Sequence, residues 1–262
     1  MDCKSCPEPS PRPIVANVAD MKNYRSSIPN AAQERVVSTY EANGQKQRVE
    51  YVLDGEVVGF RWFSEDGTAG TENPLKNRVM HGNMHYFEVG ADGSRKTSFS
   101  EPYRNGLAHG IAKQYSDDGR LIGTYTMKRG TGWDFWRHRK DFGRSPVHIL
   151  MEARSLKAGN LHGFEWWLDE DQKSVHQEAH FWENLQHGIR REWNNEGKLR
   201  RGFPQYWINN ERVSKRQYLR ACKKDSNLPP FRESDNKPVR SFPPEVQAAI
   251  KETASLKLAA RS

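Results

Sequence analysis

The sequence predicts an all-β protein, an elongated antiparallel sheet of repeated β-hairpins that ends in a short C-terminal capping helix and a tail. One observation behind this prediction is a set of six glycines spaced by 23, 28, 22, 31 and 25 residues, four of which directly follow a histidine. Another is an aromatic residue four or five positions after each of these glycines. The last is a recurrent acidic or polar turn ending in glycine, such as SDDG at 116–119. A period of about 20 to 30 residues is typical of proteins that stack one supersecondary unit many times.

Each unit has the pattern of a β-hairpin, because an alternating run, an Asp-Gly or Glu-Gly turn and a second alternating run are the short-range signals of that motif. In the third unit, Ile111 and Tyr115 share one strand face, the chain turns at 117–119, and residues 121–127 form the returning strand. A single hairpin cannot bury its aromatic face, so we expect stacked hairpins. The glycine after each histidine is expected at the junction between hairpins, with positive φ, at a place where a Cβ would clash. The six glycines are Gly59, Gly82, Gly110, Gly132, Gly163 and Gly188.

The distribution of glycine and proline along the chain predicts its first two segments. Residues 1–45 are predicted to be a Pro-rich, poorly ordered N-terminal segment, because the leader CPEPSPRP disfavours regular pairing. Residues 46–210 are predicted to be the hairpin array, because they contain nearly all of the glycines and all eight tryptophans. Only 35% of the chain is hydrophobic, so we expect a thin structure in which large aromatic side chains cover most of the area.

The C-terminal part is predicted to be a capping helix at 211–226, followed by a basic linker and a weakly amphipathic helix at 227–262. Ser214 is the expected N-cap of the first helix, and Tyr218, Leu219 and Cys222 have core spacing. This helix would cover the open end of the sheet, where an unprotected strand edge would otherwise pair with another chain. The second helix is expected over 245–259. Residues 209–262 contain 12 Lys and Arg against six Asp and Glu, so most of the net charge of +8 lies here, and the tail is a possible partner-binding arm.

The composition argues against a secreted or membrane-spanning protein. Three cysteines in 262 residues do not make a disulfide framework, and the early apolar run at 14–16 is too short for a signal peptide or a membrane span. We therefore expect a cytoplasmic protein without a cofactor. Cys3 and Cys6 have the spacing of half a zinc site, but no second pair follows, so a reduced terminus is the preferred interpretation.

The histidines of the repeat are interpreted as structural. Sites one repeat apart would lie far from one another, whereas catalysis needs groups within hydrogen-bond reach, so we expect each imidazole to pack or hydrogen-bond at a hairpin junction. The segment HQEAH offers a separate alternative, because His176, Glu178 and His180 would share a strand face and could hold a metal. Its order differs from the zinc-protease motif, which places Glu directly after the first His, so a solvated polar face is preferred.

The repeated segments YRNGLAHGIAKQYSDDGRL, LKAGNLHGFEWWLDED and FWENLQHGIRREWNNEGKL resemble the variant type of MORN repeat, which is common in bacterial proteins, some of them classed as antitoxin-like. The resemblance covers roughly residues 50–210. It implies an elongated antiparallel sheet and a non-catalytic binding role. The positions two residues after three of the glycines hold Ala112, Glu165 and Arg190 instead of the second glycine of the ordinary unit, so the membrane-lipid binding attributed to some ordinary MORN proteins is only weakly implied.

The function that we expect is that of a non-enzymatic scaffold that binds a protein partner across one sheet face, with Trp62, Trp136, Trp167 and Trp193 as the contact residues. An antitoxin-like role rests on the family resemblance alone. The first alternative is a binder of anionic surfaces, phospholipid head groups or nucleic acid, through the basic tail. The run GWDFWRHRK at 132–140 also suits base stacking, although an amphipathic strand in the fourth repeat is preferred. The second alternative is a metal-dependent enzyme that uses the HQEAH segment.

Overall fold

The computed structural model describes residues 23–89, 93–142 and 145–259, so the Pro-rich leader with Cys3 and Cys6 lies outside the described residues. Eighteen strands, two α-helices and a short 3₁₀ turn lie within the described ranges. The strands of the first half are β1 (Gln33–Thr39), β2 (Lys46–Leu53), β3 (Glu56–Phe63), β4 (Ala69–Lys76), β5 (Val79–Met80), β6 (Gly82–Val89), β7 (Arg95–Arg104), β8 (Leu107–Ala108), β9 (Gly110–Tyr115) and β10 (Leu121–Lys128).

The second half of the chain completes the sheet and adds the helices. Its strands are β11 (Thr131–Phe142), β12 (Ser145–Lys157), β13 (Asn160–Leu168), β14 (Val175–Trp182), β15 (Leu185–Gln186), β16 (Gly188–Glu192), β17 (Gln205–Ile208) and β18 (Glu211–Val213). The helices are α1 (Lys215–Ala221) and α2 (Pro244–Ala259), and the 3₁₀ turn is Glu233–Asn236.

The strands form one open antiparallel sheet of consecutive hairpins, which confirms the predicted fold class. Pairing follows chain order from β1 to β18. The pairs β5 and β6, β8 and β9, and β15 and β16 each behave as one strand interrupted by a histidine of the repeat. The strand β1 was not predicted, because it lies in the segment 1–45 to which the sequence pattern assigned no regular structure.

The two long edges of the sheet carry different turns. The acidic loops that we predicted as hairpin turns lie along one edge, for example Ser116, whose carbonyl accepts from Gly119 N at 2.8 Å. The other edge carries seven two-residue turns in which both residues have positive φ, the conformation of the type I′ hairpin turn. These turns are Asp54-Gly55, Asn77-Arg78, Asn105-Gly106, Arg129-Gly130, Ala158-Gly159, Glu183-Asn184 and Asn209-Asn210. We call this edge the turn edge.

Backbone hydrogen bonds connect successive turns along the turn edge. The second residue of a turn donates its N–H to a carbonyl of the preceding unit, as Gly130 does to Ala108 at 2.7 Å and Asn210 does to Gln186 at 2.9 Å. Five such bonds lie at this edge among the described residues. Their donors and acceptors are Gly106 and Met80, Gly130 and Ala108, Gly159 and Gly130, Asn184 and Leu161, and Asn210 and Gln186.

The repeated histidines reinforce the same junctions. The Nδ1 atom of His109 accepts the backbone N–H of Arg129 at 3.1 Å, and Nδ1 of His187 accepts that of Asn209 at 3.2 Å. His81 accepts from Asn105 in the same way, at 3.5 Å. The fourth histidine, His162, instead packs against the Trp182 ring, with centroids 4.2 Å apart. The predicted structural role of these imidazoles is therefore confirmed. A turn N–H that would lack a partner in an isolated hairpin receives one from the unit before it.

The glycine that follows each histidine is required by the backbone. Gly110 has φ +131°, and a Cβ added there would lie 2.7 Å from Cγ of Pro102 on β7. At Gly163, with φ +102°, the added Cβ would lie 3.2 Å from Oγ of Ser155. An L side chain is disfavoured in this region of φ, so both the predicted positive φ and the predicted close approach are confirmed.

The strand register divides the sheet into two faces, because residues directly opposite one another on neighbouring strands point to the same side. Two rows of side chains, given below, lie on one side of the sheet, and we call this side the open face. We call the opposite side the covered face. The first row is Arg48, Trp62, Thr71, Tyr86, Phe99 and Gln114. The second row is Trp136, Glu152, Trp167, Gln177 and Glu192.

The segment before β1 and the C-terminal tail each bury part of the covered face. Near the start of the chain, Ile28 packs with Val49 in a small core, and the Tyr24 hydroxyl donates to Glu72 at 2.5 Å. Near its end, the Phe242 ring meets Trp166 edge-on at 5.4 Å, and Val246 is fully buried in the main core. The residues 235–253 are therefore part of the fold, which limits their use as a free binding arm.

The ladder between β10 and β11 is open over most of its length. These strands pair only at Met127 with Gly132 and at Lys128 with Thr131, whereas β11 and β12 pair at eleven positions. We call this gap the seam. The backbone N–H groups at the seam bind side chains instead of a neighbouring strand: Thr124 N donates to Glu252 of α2 at 3.4 Å, and Arg137 N donates to Gln114 at 3.2 Å.

The helix α2 closes the seam on the covered face. The guanidinium of Arg137 is completely buried, and it donates to Glu252 at 2.7 Å and to Thr253 at 2.9 Å. The same carboxylate of Glu252 accepts from the hydroxyl of Thr124 at 2.9 Å. One acidic residue therefore binds both the buried cation and the backbone of β10, while Nη1 of Arg137 has no partner among the described residues.

The helix α1 packs on the end of the sheet, as its sequence predicted. Ser214 is the N-cap and forms a capping box with Gln217, and Tyr218 is fully buried against Tyr206, with ring centroids 5.3 Å apart. The prediction that Leu219 belongs to the same core stripe was wrong, because this side chain is 40% exposed. No helix in the described part of the chain combines the length and the apolar character needed to cross a bilayer.

The seam predicts a stability defect that is specific to Glu252. The Glu252→Ala substitution leaves the buried Arg137 guanidinium without its counter-charge, so we expect the free energy of unfolding to fall by about 2–4 kcal/mol. Urea denaturation measures this loss. Glu196→Ala is the matched control, because its ion pair with Lys198 is exposed, with side chains 69% and 76% accessible, and should contribute less than about 0.5 kcal/mol. Equal losses in the two variants would contradict the structural role of Glu252.

Candidate binding cleft on the open face

An aromatic floor marks the most concave part of the open face. The rings of Phe99 on β7 and Trp136 on β11 have centroids 5.0 Å apart, and Tyr86 stacks on the other side of Phe99 at 5.5 Å. In a flat sheet, strands three positions apart would be separated by about 14 Å. The contact between Phe99 and Trp136 therefore shows that the rings lean together across a curved face. The two rows of the open face become continuous at this point, directly above the seam.

Two cavities flank this floor, and both are lined by Tyr86, Phe99 and Trp136. The cavity nearer the turn edge has a volume of about 370 Å³ and contains Glu101 and Asp134. We call it the acidic cavity. The second has a volume of about 350 Å³ and contains His138, Arg139, His148 and Asp117. We call it the loop-side cavity, and we call the two together the cleft.

The acidic cavity has more carboxyl groups than cations around it. Arg154 donates through Nε to Oδ2 of Asp134 at 3.1 Å and through Nη2 to the same oxygen, and its Nε lies 3.5 Å from Glu152. Glu101 accepts from the hydroxyl of Tyr125 at 2.9 Å. Glu165 lies opposite Arg154 on β13. The guanidinium of Arg154 thus lies among four buried or half-buried carboxyl groups.

The carboxyl pKa values reflect this imbalance. Burial raises the pKa of Glu152 to about 7. The charge of Arg154 opposes this shift, whereas the negative charge of Glu165 and the hydrogen bond between Glu152 and Glu165 increase it. Burial also raises the pKa of Glu101 and that of Glu165. Burial penalises the ionised form of each acid, and the guanidinium groups nearby, Arg154 and in the case of Glu165 also Arg190, do not compensate for this penalty.

Two buried polar atoms of this region lack a hydrogen-bond partner among the described residues. One is Oδ1 of Asp134, an acceptor on a residue that is only 7% exposed. The other is Nε1 of Trp136, a donor on the ring that separates the two cavities. A buried group without a partner costs about 1–3 kcal/mol, so each of these atoms offers free energy to a ligand that supplies the missing bond.

The loop-side cavity is better balanced. Arg139 donates to Asp117 at 3.0 Å, and burial lowers the pKa of His148. The run at 132–140 forms part of β11, as preferred from the sequence, and its aromatic residues divide between the faces. Trp136 lies on the open face, whereas Trp133 stacks on Trp166 of the covered face at 5.4 Å. Arg137 is bound to α2, so this run does not present a continuous aromatic and cationic surface for bases and phosphates.

The structure separates the four tryptophans that we predicted as contact residues. Trp62, Trp136 and Trp167 lie on the open face, in the two rows that meet at the cleft. Trp62 is the most accessible of them, at 41%. Trp193 lies under the tail, is 2% exposed and donates its indole N–H to Asn236 O at 2.7 Å. Trp193 is therefore part of the core and is not accessible to a ligand.

The metal alternative receives no support from the contacts of its residues. Arg191 donates to one carboxylate oxygen of Glu178 at 2.8 Å, and Arg240 donates to the other at 2.7 Å. Burial raises the pKa of Glu178, but the two arginines outweigh this effect, so its pKa is lowered. His180 Nδ1 lies 2.6 Å from the carbonyl of His187, and His176 lies 3.3 Å from Asp169. Within the described ranges, no group of three His, Cys, Asp or Glu residues is arranged to hold a metal ion.

Sequence reasoning did not identify Tyr86, Glu101 or Asp134 as site residues. They come from two repeat units, Tyr86 and Glu101 from one and Asp134 from another, and nothing in the local sequence of each distinguishes it from a surface residue. A usable signal existed in the register, because a residue's distance from the type I′ turn fixes its face and its row. No protein-family model matches this chain, and no curated protein is similar to it in sequence.

The raised pKa of Glu152 predicts a pH-dependent stability difference. Folding raises this pKa from 4.5 to about 7, so the protein takes up a proton on folding between these values, and stability is lost as the pH rises through that window. The variant Glu152→Gln stays neutral. We expect it to exceed the natural protein at pH 8 by up to about 3 kcal/mol in unfolding free energy, and to lose this advantage at pH 4.

Urea titrations at several pH values measure this difference. Glu196→Gln, on an exposed loop, controls for the loss of one negative charge. A constant difference between Glu152→Gln and the natural protein at all pH values would contradict the assignment.

Proposed function

We propose that this protein is a non-enzymatic scaffold that binds a protein partner across the open face of its sheet, with the cleft at the centre of the interface. One observation carries the proposal: residues 23–32 and the tail both pack on one face of the sheet, and the cleft lies on the other. The covered face holds Ile28, Phe242 and Val246, all buried. The open face instead has a concave aromatic floor with two cavities.

The open face has the composition of a protein interface. Trp62 and Tyr86 are 41% and 37% exposed, and aromatic residues with arginine are the types most enriched at binding hot spots. Arginine already stacks on two of the rings, with Arg48 5.5 Å from Trp62 and Arg154 5.9 Å from Trp136. These contacts hold the aromatic side chains in place before binding, which reduces the entropy lost on association.

The partner class follows from the resemblance to MORN-repeat variants. The hairpin array with its His-Gly junctions supports a binding role for the repeat, and on that resemblance we propose an antitoxin-like task, the neutralisation of a protein toxin in the bacterial cytoplasm.

A substitution on each face tests this proposal. Trp62→Ser removes an exposed ring from the open face, so recovery of the partner by affinity capture from the native cell should fall at least about tenfold, which corresponds to about 1.4 kcal/mol. Ile111→Ser is the matched control, because Ile111 is 55% exposed on the covered face, opposite Thr126, and should leave recovery unchanged. Loss of the partner in both variants, or in neither, would contradict binding through the open face.

A second function, binding of an anionic surface, is favoured by the exposed side of α1. Lys215, Arg216, Arg220 and Lys223 surround the accessible side chain of Leu219 there. A ring of cations around one apolar side chain suits phosphate groups with a lipid or base beneath them.

Salt distinguishes this function from the first. Binding to phosphatidylserine vesicles or to a DNA duplex through α1 should weaken steeply between about 50 and 200 mM salt and fall further in the double variant Arg216→Gln, Arg220→Gln. The capture of a protein partner on the open face should not respond to the α1 substitutions. Binding that is insensitive to salt and to the α1 substitutions would exclude this second function.

A further inference from the structure

Some polar groups of the acidic cavity lack a counter-charge or a hydrogen-bond partner among the described residues. Its carboxyl groups Glu101 and Asp134 line the space directly, and Glu152 lies beside them on the same face, next to Arg154. Arg154 is the only cation among the residues that line the cavity in the described part of the chain. The oxygen Oδ1 of Asp134 remains without a partner among those residues, although the side chain is nine-tenths buried.

We propose that the acidic cavity receives a cationic side chain, a lysine or an arginine, carried by an extended segment of the protein partner. The inference rests on the proposed function and names the chemistry of the partner. A guanidinium or ammonium group donates to Oδ1 of Asp134, and it adds a second cation to a cavity that two carboxyl groups, Asp134 and Glu101, line with Arg154 alone.

A main chain must accompany the cation, because the second unsatisfied atom has the opposite polarity. Nε1 of Trp136 is a donor, and a lysine or arginine side chain offers it no acceptor. A peptide carbonyl of the main chain provides this acceptor. A peptide segment therefore satisfies both atoms at once, whereas a free cation satisfies only Asp134 and a neutral ligand leaves the charge imbalance in place.

The cavity has room for such a side chain. Its volume of about 370 Å³ falls within the range of roughly 300–1,000 Å³ that is typical of small-ligand sites. On the side of the turn edge it is bounded by Gly106, Gly130 and Gly159, together with Leu107 and Ala108. The aromatic floor on the other side, Phe99 and Trp136, provides the apolar wall for the methylene groups of the cation.

Two blocked heptapeptides of the sequence Gly-Ser-Gly-X-Gly-Ser-Gly test the proposal, with arginine at X in one and citrulline, its neutral isostere, in the other. The readout is the indole N–H resonance of Trp136, which Trp136→Phe assigns by its disappearance. We expect a saturable shift with the arginine peptide and at least tenfold weaker binding of the citrulline peptide.

Variants of the cavity complete the test. Asp134→Asn and Glu101→Gln should each weaken the arginine peptide at least tenfold, whereas Glu192→Gln, on the same face but bonded to Arg190, should stay within twofold. If loss of its Arg154 partner prevents Asp134→Asn from folding, Glu101→Gln decides. Equal binding of the two peptides, no shift with either, or unchanged binding in the cavity variants overturns the proposal.

Failure here is distinguishable from failure of the proposed function. Trp62 lies on β3, well outside the cavity, so its effect on partner capture does not depend on cation recognition. Loss of capture in Trp62→Ser, combined with no peptide binding, retains the scaffold and removes only the cationic pocket.

Discussion

The hydrogen bonds between successive type I′ turns are the constraint on which the rest of the structure depends. Five of the seven turns donate a backbone N–H to the unit before them, and three of the repeated histidines accept a second N–H from the next turn. The bonds tie each hairpin to its neighbour, which fixes the stacking order and the register. The interruption at each His-Gly pair acts as an irregularity in the strand, and irregularities of this kind increase local twist. The concave open face is consistent with such twisting.

The seam explains why a helix packs on one face of the sheet while the cleft forms on the other. A full ladder between β10 and β11 would leave no backbone group for α2 to bind. Because the strands separate after two pairs, Glu252 reaches the backbone of β10 and the buried Arg137 together. The helix therefore lies on the covered face, beside the tail segment that buries Phe242. On the other side, the same separation brings Trp136 toward Phe99 and forms the cleft.

Buried carboxyl groups on the two faces differ in the number of donors that they have. On the covered face, Glu72 accepts from Arg61, Tyr24 and Ser26, and Glu178 accepts from two arginines and Trp166. On the open face, the carboxyl groups around Arg154 share one cation, and one oxygen of Asp134 has no partner within the described ranges. Buried polar groups in folded proteins are normally satisfied. The described residues include exceptions on both faces, such as Nη2 of Arg191 on the covered face, but those of Asp134 and Trp136 belong to residues that line a cavity, where a partner can complete them.

The sequence by itself determined the hairpin array, the N-cap at Ser214 and the structural use of the repeated histidines. These features depend on interactions within one unit or between adjacent units, so the periodic glycines and the local turn chemistry were sufficient to predict them. Only the tertiary structure decided which face is free. Trp136 lies four residues after its glycine and Trp193 lies five after its own, so strand alternation places them on opposite faces, but the local pattern does not show which face the tail covers. The path of the tail and the gap between β10 and β11 decide that, and the contacts of α2 with the seam span more than 100 residues, such as that of Thr124 with Glu252.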